Sequence, residues 1–292
     1  MTATVAMTQR TEWAVLATPM VAFLLLFLGL PTILNLIYSV SEVRFETLRS
    51  PTLTGLQNYA AALADPAFWQ ATWFSTRFAL VTATIQCVLG LALAIFLHPL
   101  LRERSWAVAI LMMPLMVAPA LVGLMYRLVL HEFVGPVPHY AYALLGWSPS
   151  FLSGATVFWT LVVIESLQWT PFAFLLFHMA YSAIPSELRE AGRVDGAGAF
   201  DFLRFVELPL MVPTLVIAFF IRFIDGFRVF DNIFVLVGSG PGGSTASLSI
   251  YIYESFFRQG AIGRAVAASV ILFLTSFAVL WALTRLAARR KS

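Results

Sequence analysis

Long apolar runs alternate along the chain with short charged ones. Residues 13–41, 78–101, 105–126 and 265–284 carry no charge. A run over about 157–183 is interrupted only by Glu165, and another begins at Leu208 and stays uncharged until Arg222. A helix needs roughly 20 mostly apolar residues to cross a bilayer. The pattern predicts an all-α polytopic membrane protein with six transmembrane helices, over roughly 14–40, 74–98, 106–130, 157–182, 208–236 and 262–286. They form a single transmembrane domain covering 1–292. The first run is far longer than the roughly 7–15 apolar residues of a secretory signal, and no small-residue cleavage site follows it. It is read as an uncleaved span.

Composition agrees. The chain is 60% hydrophobic and 11% charged, with a mean hydropathy of +0.86. Soluble domains run nearer half apolar and about a quarter charged, so an ordinary soluble enzyme or a disordered chain is excluded. Of the 18 basic residues only Lys291 is lysine, which excludes mechanisms needing an internal lysine. The lone Cys87 leaves no intrachain disulfide and no cysteine metal site. A net charge of +3, scattered along the chain, does not suggest a nucleic-acid partner.

The basic residues do set orientation. Arg10, Arg102, Arg104, Arg189, Arg193, Arg204, Arg285, Arg289, Arg290 and Lys291 fall on one side of the predicted spans. Arg44, Arg49 and Arg258 fall on the other. Basic loops stay inside, so both termini and the loops 99–105 and 183–207 are expected on the cytoplasmic side. Trp69, Trp73, Trp106, Trp147 and Trp281 lie near span ends, where aromatic belts form.

The segment 183–209 reads AIPSELREAGRVDGAGAFDFLRFVELP. Pro185 ends the fourth span, and Ser186 is the expected N-cap of a short helix. Gly196 can take a positive φ and stop that helix, and Asp195 can cap a second one. Pro209 opens the fifth span. The expectation is a helix–turn–helix lying on the membrane surface. Read from residues alone, it is either a plain connector or a docking element; Ala191, Gly192, Gly196 and Ala197 give it the smooth small face that close docking needs.

Glu190-Ala191-Gly192, two residues, Asp195-Gly196-Ala197, eight residues, then Val206-Glu207-Leu208-Pro209 resembles the EAA loop of ABC importer permeases. Gly192 stands where that pattern has a second Ala, a change that loosens a helix by up to about 1 kcal/mol. Gly55-Leu56-Gln57-Asn58-Tyr59, Asp65-Pro66-Ala67-Phe68-Trp69 and Trp169-Thr170-Pro171-Phe172 resemble segments of carbohydrate-importer permeases of the maltose/trehalose type. So does the stretch 222–237 with the Gly-rich 238–243.

The resemblance implies the type I ABC importer permease fold, of the first-permease type, in the cell inner membrane. It implies that Glu190, Ala191, Gly192, Asp195, Gly196 and Ala197 couple to a cytoplasmic ATPase. It also implies three kinds of partner besides the lipid bilayer: a homologous second permease, a dimer of ATPase subunits holding ATP and Mg, and an extracytoplasmic sugar-binding protein. This chain itself would carry no cofactor and would not be an enzyme.

Ionisable groups inside spans are costly and are functional candidates. Arg222, Asp225, Arg228, Asp231 and Asn232 fall within half of the fifth helix's circumference, and Asp225 is three residues from both arginines. Glu165, Gln168 and Trp169 form a second set near Pro171. Both sets are candidates for the translocation path; an internal salt-bridge network is the competing reading. His98, His131, His139 and His178 show no metal-ligand spacing. The loop GSGPGGST over 238–245 has Ser244 where a phosphate-binding loop has lysine, and is read as an outer loop. Two alternatives remain. One is a polyol or glycerol-phosphate substrate within the same superfamily. The other is a proton-coupled secondary transporter using Asp225 or Glu165.

Overall fold

A computed structural model describes residues 14–104, 106–148, 150–154 and 156–289. Arg10, Arg290 and Lys291, used above for orientation, lie outside them. The chain divides into two compact units, one made of residues up to Asp65 with Ile252–Leu274 and the other of Pro66–Tyr251 with the stretch from Thr275 onward.

In the first unit, α1 (Ala14–Ser39) is uncharged and mostly apolar, and none of its apolar window is buried. A helix of this length and composition suits the lipid interior. Two of its threonines, Thr18 and Thr32, turn their hydroxyls back onto carbonyls four residues earlier, both at 2.6 Å, so neither is left unpaired. A two-stranded ladder follows, β1 (Ser41–Glu42) with β2 (Thr52–Leu53), in antiparallel register. In α2 (Gln57–Ala64), Asn58 donates to the carbonyls of Ser39 and Ser41 at 3.1 and 2.8 Å. Tyr59 donates to the Ser39 hydroxyl at 2.9 Å. The first of these bonds satisfies the Ser39 carbonyl that α1 leaves open at its end. Val43, Ile262 and Val266 form the small core.

The second unit is built around α3 (Pro66–Phe96). Next come α4 (His98–Glu103), α5 (Trp106–Met116), α6 (Pro119–Val129), α7 (Pro136–Leu145) and α8 (Val157–Ser182). They are followed by α9 (Ser186–Val194), α10 (Ala199–Phe202), α11 (Leu208–Phe227), α12 (Asp231–Leu236) and α13 (Leu248–Tyr253). The last helix, α14 (Ile262–Arg289), begins in the first unit.

Helix α3 packs on α8 through small residues. Ala79, Ala83, Ala94 and Ala173 are fully buried, and Gly90 of α3 sits directly on the backbone of Ala173 and Phe174. Between lipid-embedded helices there is little hydrophobic drive, so close backbone approach through small residues is what packing relies on. One core gathers Phe74, Phe78, Leu161, Ile164 and Ile233; a second gathers Phe174, Phe177, Met211 and Ala218.

The six-span expectation is met in part. Four helical stretches are long and apolar enough to cross a membrane: Ala14–Ser39, Pro66–Phe96, Val157–Ser182 and Ala199–Leu236. The third predicted span, 106–130, is two helices bent by 81°, a fifth crossing if the pair is one span. The cause is local. Proline disfavours helical backbone in the residue before it, and Ala118, preceding Pro119, is extended at φ −60 and ψ 135, as is Val117. The sixth apolar run lies in α14 (Ile262–Arg289), of which the stretch Ile262–Ala278 is apolar among the described residues.

Other boundaries also differ. The second span starts at Pro66 rather than near 74. The fifth is interrupted after Phe227, and Phe230 takes φ −136 and ψ −62 before α12 begins. The fourth span keeps its expected bounds, with Pro171 inside α8. The three segments that join predicted spans one to two, three to four and five to six each contain a short helix, α2, α7 and α13.

Candidate coupling surface and intramembrane polar cluster

Helix α9 forms where the sequence places it, but with different caps. Pro185 is the N-cap residue and Ser186 the first helical residue, without a side-chain capping bond. Asp195 does not cap the next helix either, which starts at Ala199 behind Gly198. Gly196 takes φ +77 and closes α9, with the Ala197 amide bonded to the Gly192 carbonyl at 2.9 Å. This is the left-handed stop that favours glycine.

Glu190, Ala191, Asp195, Gly196 and Ala197 are exposed along this hairpin, with Gly192 half-buried. Leu188, Ala191, Gly192, Asp195, Phe202 and Phe205 line a groove of about 320 Å³. Val194, Phe200 and Phe205 are 87%, 70% and 68% exposed. Large apolar side chains exposed on a polar surface mark an interaction site, with protein or with membrane.

Gly192 has a packing reason. A Cβ there would lie 2.7 Å from the ring of Phe202, so the departure from the Ala of the EAA pattern lets α10 fold onto α9. In an open helix, Gly to Ala gains about 1 kcal/mol. Here Gly192→Ala is expected to speed amide exchange across 186–202, because Phe202 must move. Slower exchange would show that the propensity gain outweighs the contact.

The hairpin is tied to the spans by a three-residue cluster. Arg189 Nε donates to Glu207 Oε1 at 3.0 Å, and Tyr181 donates to Glu207 Oε2 at 3.0 Å. The Arg189 guanidinium lies 4.6 Å from the centre of the Tyr181 ring, and the His98 ring meets that ring edge-on at 4.8 Å. Burial holds the His98 imidazole below its ordinary pKa, and the positive charge of Arg189 and neighbouring His178 and Arg102 adds to this. The sequence reading passed over this cluster, because its partners are spread over 26 residues and Glu207 occupies an unconstrained position of the EAA pattern.

The second constellation lies within the membrane-spanning helices. Arg222 is 1% exposed. Its Nε donates to Gln86 Oε1 at 2.8 Å, its Nη1 to Asp225 at 3.1 Å, and its Nη2 reaches Glu165 at 3.5 Å. Its guanidinium stacks 4.4 Å from the Trp169 ring centre, with Phe172 at 5.9 Å. Asn232 donates to the other oxygen of Glu165. One arginine thus joins α3, α8 and α11, and Glu165 extends the network to α12.

The two candidate sets of the sequence reading therefore meet, with Gln86 as an additional member. Gln86 is uncharged and sits inside an apolar run, so nothing in the pattern of charge singled it out. Gln168 is placed differently: it is buried, and its amide donates to the Val117 carbonyl at 2.9 Å, at the break between α5 and α6. That bond satisfies a carbonyl which the broken helix leaves open.

Exposure divides the set. Glu165, Gln168, Arg222 and Asn232 are buried within this chain, Trp169 is half-buried, and Arg228 and Asp231 are exposed. The Asp225 side chain is 32% exposed and is shared, its second oxygen accepting from Arg228 Nη2 at 3.0 Å. The polar groups facing outward thus gather at the interruption between α11 and α12.

Among the described residues no group of His, Cys, Asp and Glu is placed to hold a metal ion. The Gly-rich loop folds as a tight turn over Pro241–Gly243, with Gly242 accepting from Gln70 at 3.2 Å.

The family described as the binding-protein-dependent transport system inner membrane component matches residues 10–292. The trehalose/maltose transport system permease protein MalF of Thermococcus litoralis is 31% identical over 266 residues, covering 88% of this chain and 86% of that one. The sulfoquinovosyl glycerol transport system permease protein SmoG of Agrobacterium fabrum is 28% identical over 288 residues, covering 92% and 91%. Among solved structures, a chain of a bacterial alginate ABC transporter, crystallised with an alginate pentasaccharide-bound periplasmic protein, superposes with a TM-score of 0.82. It covers 96% of both chains at 18% identity, which is a likeness of fold. The span pattern, the hairpin on α9 and the match along nearly the whole sequence lead to one assignment: this chain belongs to the family of inner membrane components of binding-protein-dependent transport systems.

Proposed function

We propose that this chain is the first of two permease subunits in an ATP-driven sugar importer of the inner membrane. The observation that carries the reading is the α9 hairpin, an exposed small-residue face ended by Gly196 and bearing Glu190, Ala191, Gly192, Asp195 and Ala197 as the coupling surface. A dimer of ATPase subunits, holding ATP and Mg, docks there. A homologous second permease covers the apolar faces that this chain leaves open, and an extracytoplasmic binding protein delivers the solute. Six crossings, with α14 as the last and both termini cytoplasmic, give the hairpin its cytoplasmic position.

Transport proceeds by alternating access: closure of the ATPase pair displaces the hairpin and opens the path outward. The polar groups at the α11–α12 interruption, Asp225, Arg228 and Asp231, face the path with Trp169 beside them. The buried Arg222, Glu165, Gln168 and Asn232 hold that face in place. Mixed carboxylate, guanidinium and aromatic groups suit hydroxyls and the apolar faces of a sugar ring. The names of the relatives, which include carriers of trehalose, maltose and sulfoquinovosyl glycerol, support a sugar. A phosphate-bearing solute would have to compete with Asp225 for Arg228.

The test is a Gly196→Pro variant assembled with its partners. Proline fixes φ near −65°, which the +77 of Gly196 excludes. The variant is expected to lose stimulation of ATP hydrolysis by the loaded binding protein while still inserting and assembling. Normal stimulation in an assembled variant complex overturns the reading. Uptake by this chain alone, driven by a proton gradient and indifferent to ATP, supports the secondary-transporter alternative instead.

A further inference from the structure

The α9 hairpin buries almost nothing of its own. None of the residues Ser186–Val194 is fully buried, so hydrophobic packing does not fix α9 to the spans. Arg189 is the exception in kind. Its side chain is 26% exposed, and it reaches inward to a Glu207 side chain that is 6% exposed.

The two oxygens of Glu207 have one partner each, the Arg189 guanidinium and the Tyr181 hydroxyl. Arg189 Nη2 also approaches the Tyr181 carbonyl at 3.5 Å. Tyr181 is the second-last residue of α8. Glu207 ends the wide π turn Leu203–Glu207 that leads into α11. A single guanidinium therefore joins the hairpin to the ends of two spans at once.

We infer that Arg189, Glu207 and Tyr181 form a latch that carries displacement of the α9 hairpin into α8 and α11, with Arg189 and Glu207 as positioning residues for coupling. The inference rests on the reading of the hairpin as an ATPase-docking element. The physical ground is stiffness. Arginine presents a planar fork with fixed donor directions, and charge-assisted hydrogen bonds are short and strong. Apart from the latch, the chain runs from α8 into the hairpin through the link at Ala183–Pro185 and from the hairpin into α11 through the π turn. Both can flex and absorb a push. With the latch, movement of α9 has to move the Tyr181 ring and the Glu207 backbone. The His98 ring, edge-on to Tyr181 at 4.8 Å, limits how far that ring can swing.

The test uses the complete complex in proteoliposomes, with the binding protein saturated by a transported sugar. Arg189→Ala and Glu207→Gln are expected to assemble and to retain basal hydrolysis by the ATPase pair. The stimulated rate and sugar uptake should fall about tenfold or more, the size expected for losing a hydrogen bond to a charged group. Tyr181→Phe keeps the ring under Arg189 and should lose less. The exchange pair Arg189→Glu with Glu207→Arg should recover a large part of the stimulation, which a role unrelated to their contact would not do. Full stimulation in Arg189→Ala, or no recovery in an assembled exchange pair, overturns the latch. Failure of both Arg189→Ala and Glu207→Gln to assemble also overturns it, since the contact is then an anchor only. A wild-type complex that does not couple ATP to sugar uptake overturns the functional reading itself and the latch with it. A working wild type beside an indifferent Arg189→Ala overturns the latch alone.

Discussion

Arg222→Met is expected to destabilise the purified permease by about 3–5 kcal/mol, the cost of removing one partner from a buried ion pair. Lost hydrogen bonds alone do not reach that figure. Side-chain bonds between membrane helices average about 0.6 kcal/mol each, and the cation–π contact with Trp169 adds about 0.5–2. The large term is the carboxylate left behind. Glu165 is 3% exposed, and without Arg222 it keeps only Asn232 as a side-chain partner. Gln86 loses the donor to its oxygen as well, while its own amide still bonds the Glu165 carbonyl at 3.2 Å. Asp225 suffers less, because Arg228 remains beside it at 3.0 Å.

The double variant Glu165→Leu with Arg222→Met removes the stranded charge and is expected to recover most of the stability. Thermal unfolding in detergent, followed by tryptophan fluorescence, measures both. An Arg222→Met protein as stable as the wild type would falsify the view that this cluster holds α3, α8, α11 and α12 together. The sign of the double variant matters as much. If it is no better than Arg222→Met, the cost lies in lost packing of the long arginine stem rather than in the charge.

What could be read from the sequence followed the range of each signal. Hydropathy over a window located the apolar runs, because burial in lipid depends on composition and is indifferent to detail. The same indifference hid the bend at Val117 and Ala118, where Pro119 acts on the backbone of the residue before it. The EAA spacing located α9 and its stop at Gly196, since a left-handed turn selects glycine locally. It could not disclose that Gly192 answers to Phe202, ten residues on and across the turn. The capping of α9 by Ser186 was a sound local expectation that Pro185 displaced by one residue.

Charges in spans pointed to Arg222, Asp225 and Glu165, because an ionised group in an apolar run is conspicuous. Their partner Gln86 lies 136 residues from Arg222, and the Arg189–Glu207 pair spans 18. Contacts of that kind exist only once the helices are packed. Among the candidate residues, the division into buried and exposed groups is likewise a property of packing. Helical periodicity gives which residues share a face, but not which neighbour that face meets.

Gly90→Val is expected to prevent the second unit from packing, and even Gly90→Ala should destabilise it. An added Cβ at Gly90 would lie 2.7 Å from the Phe174 nitrogen, 2.9 Å from the Ala173 Cβ and 3.0 Å from the Ala173 carbonyl carbon. Two of these three are backbone atoms in the middle of α8, so no side-chain rotation relieves the contact. Glycine within a helix costs about 1 kcal/mol relative to alanine, which by itself favours Gly90→Ala. Overpacking a tight interior typically costs about 1–3 kcal/mol, and a backbone clash between two long helices belongs at or above the upper end. The clash wins, and the two helices must separate along the seam where Ala83, Ala94 and Ala173 are fully buried. Gly29 provides the internal control. It lies in the exposed α1, and a Cβ there meets only the Leu25 side chain at 3.6 Å, an ordinary contact. Gly29→Ala should leave yield and melting temperature unchanged or slightly raised. Yield of monodisperse protein after extraction, together with the unfolding midpoint, measures all three variants. Gly90→Ala as stable as Gly29→Ala would mean that α3 and α8 can move apart at little cost. The close approach at Gly90 would then contribute nothing to the hold between the two longest helices of the second unit.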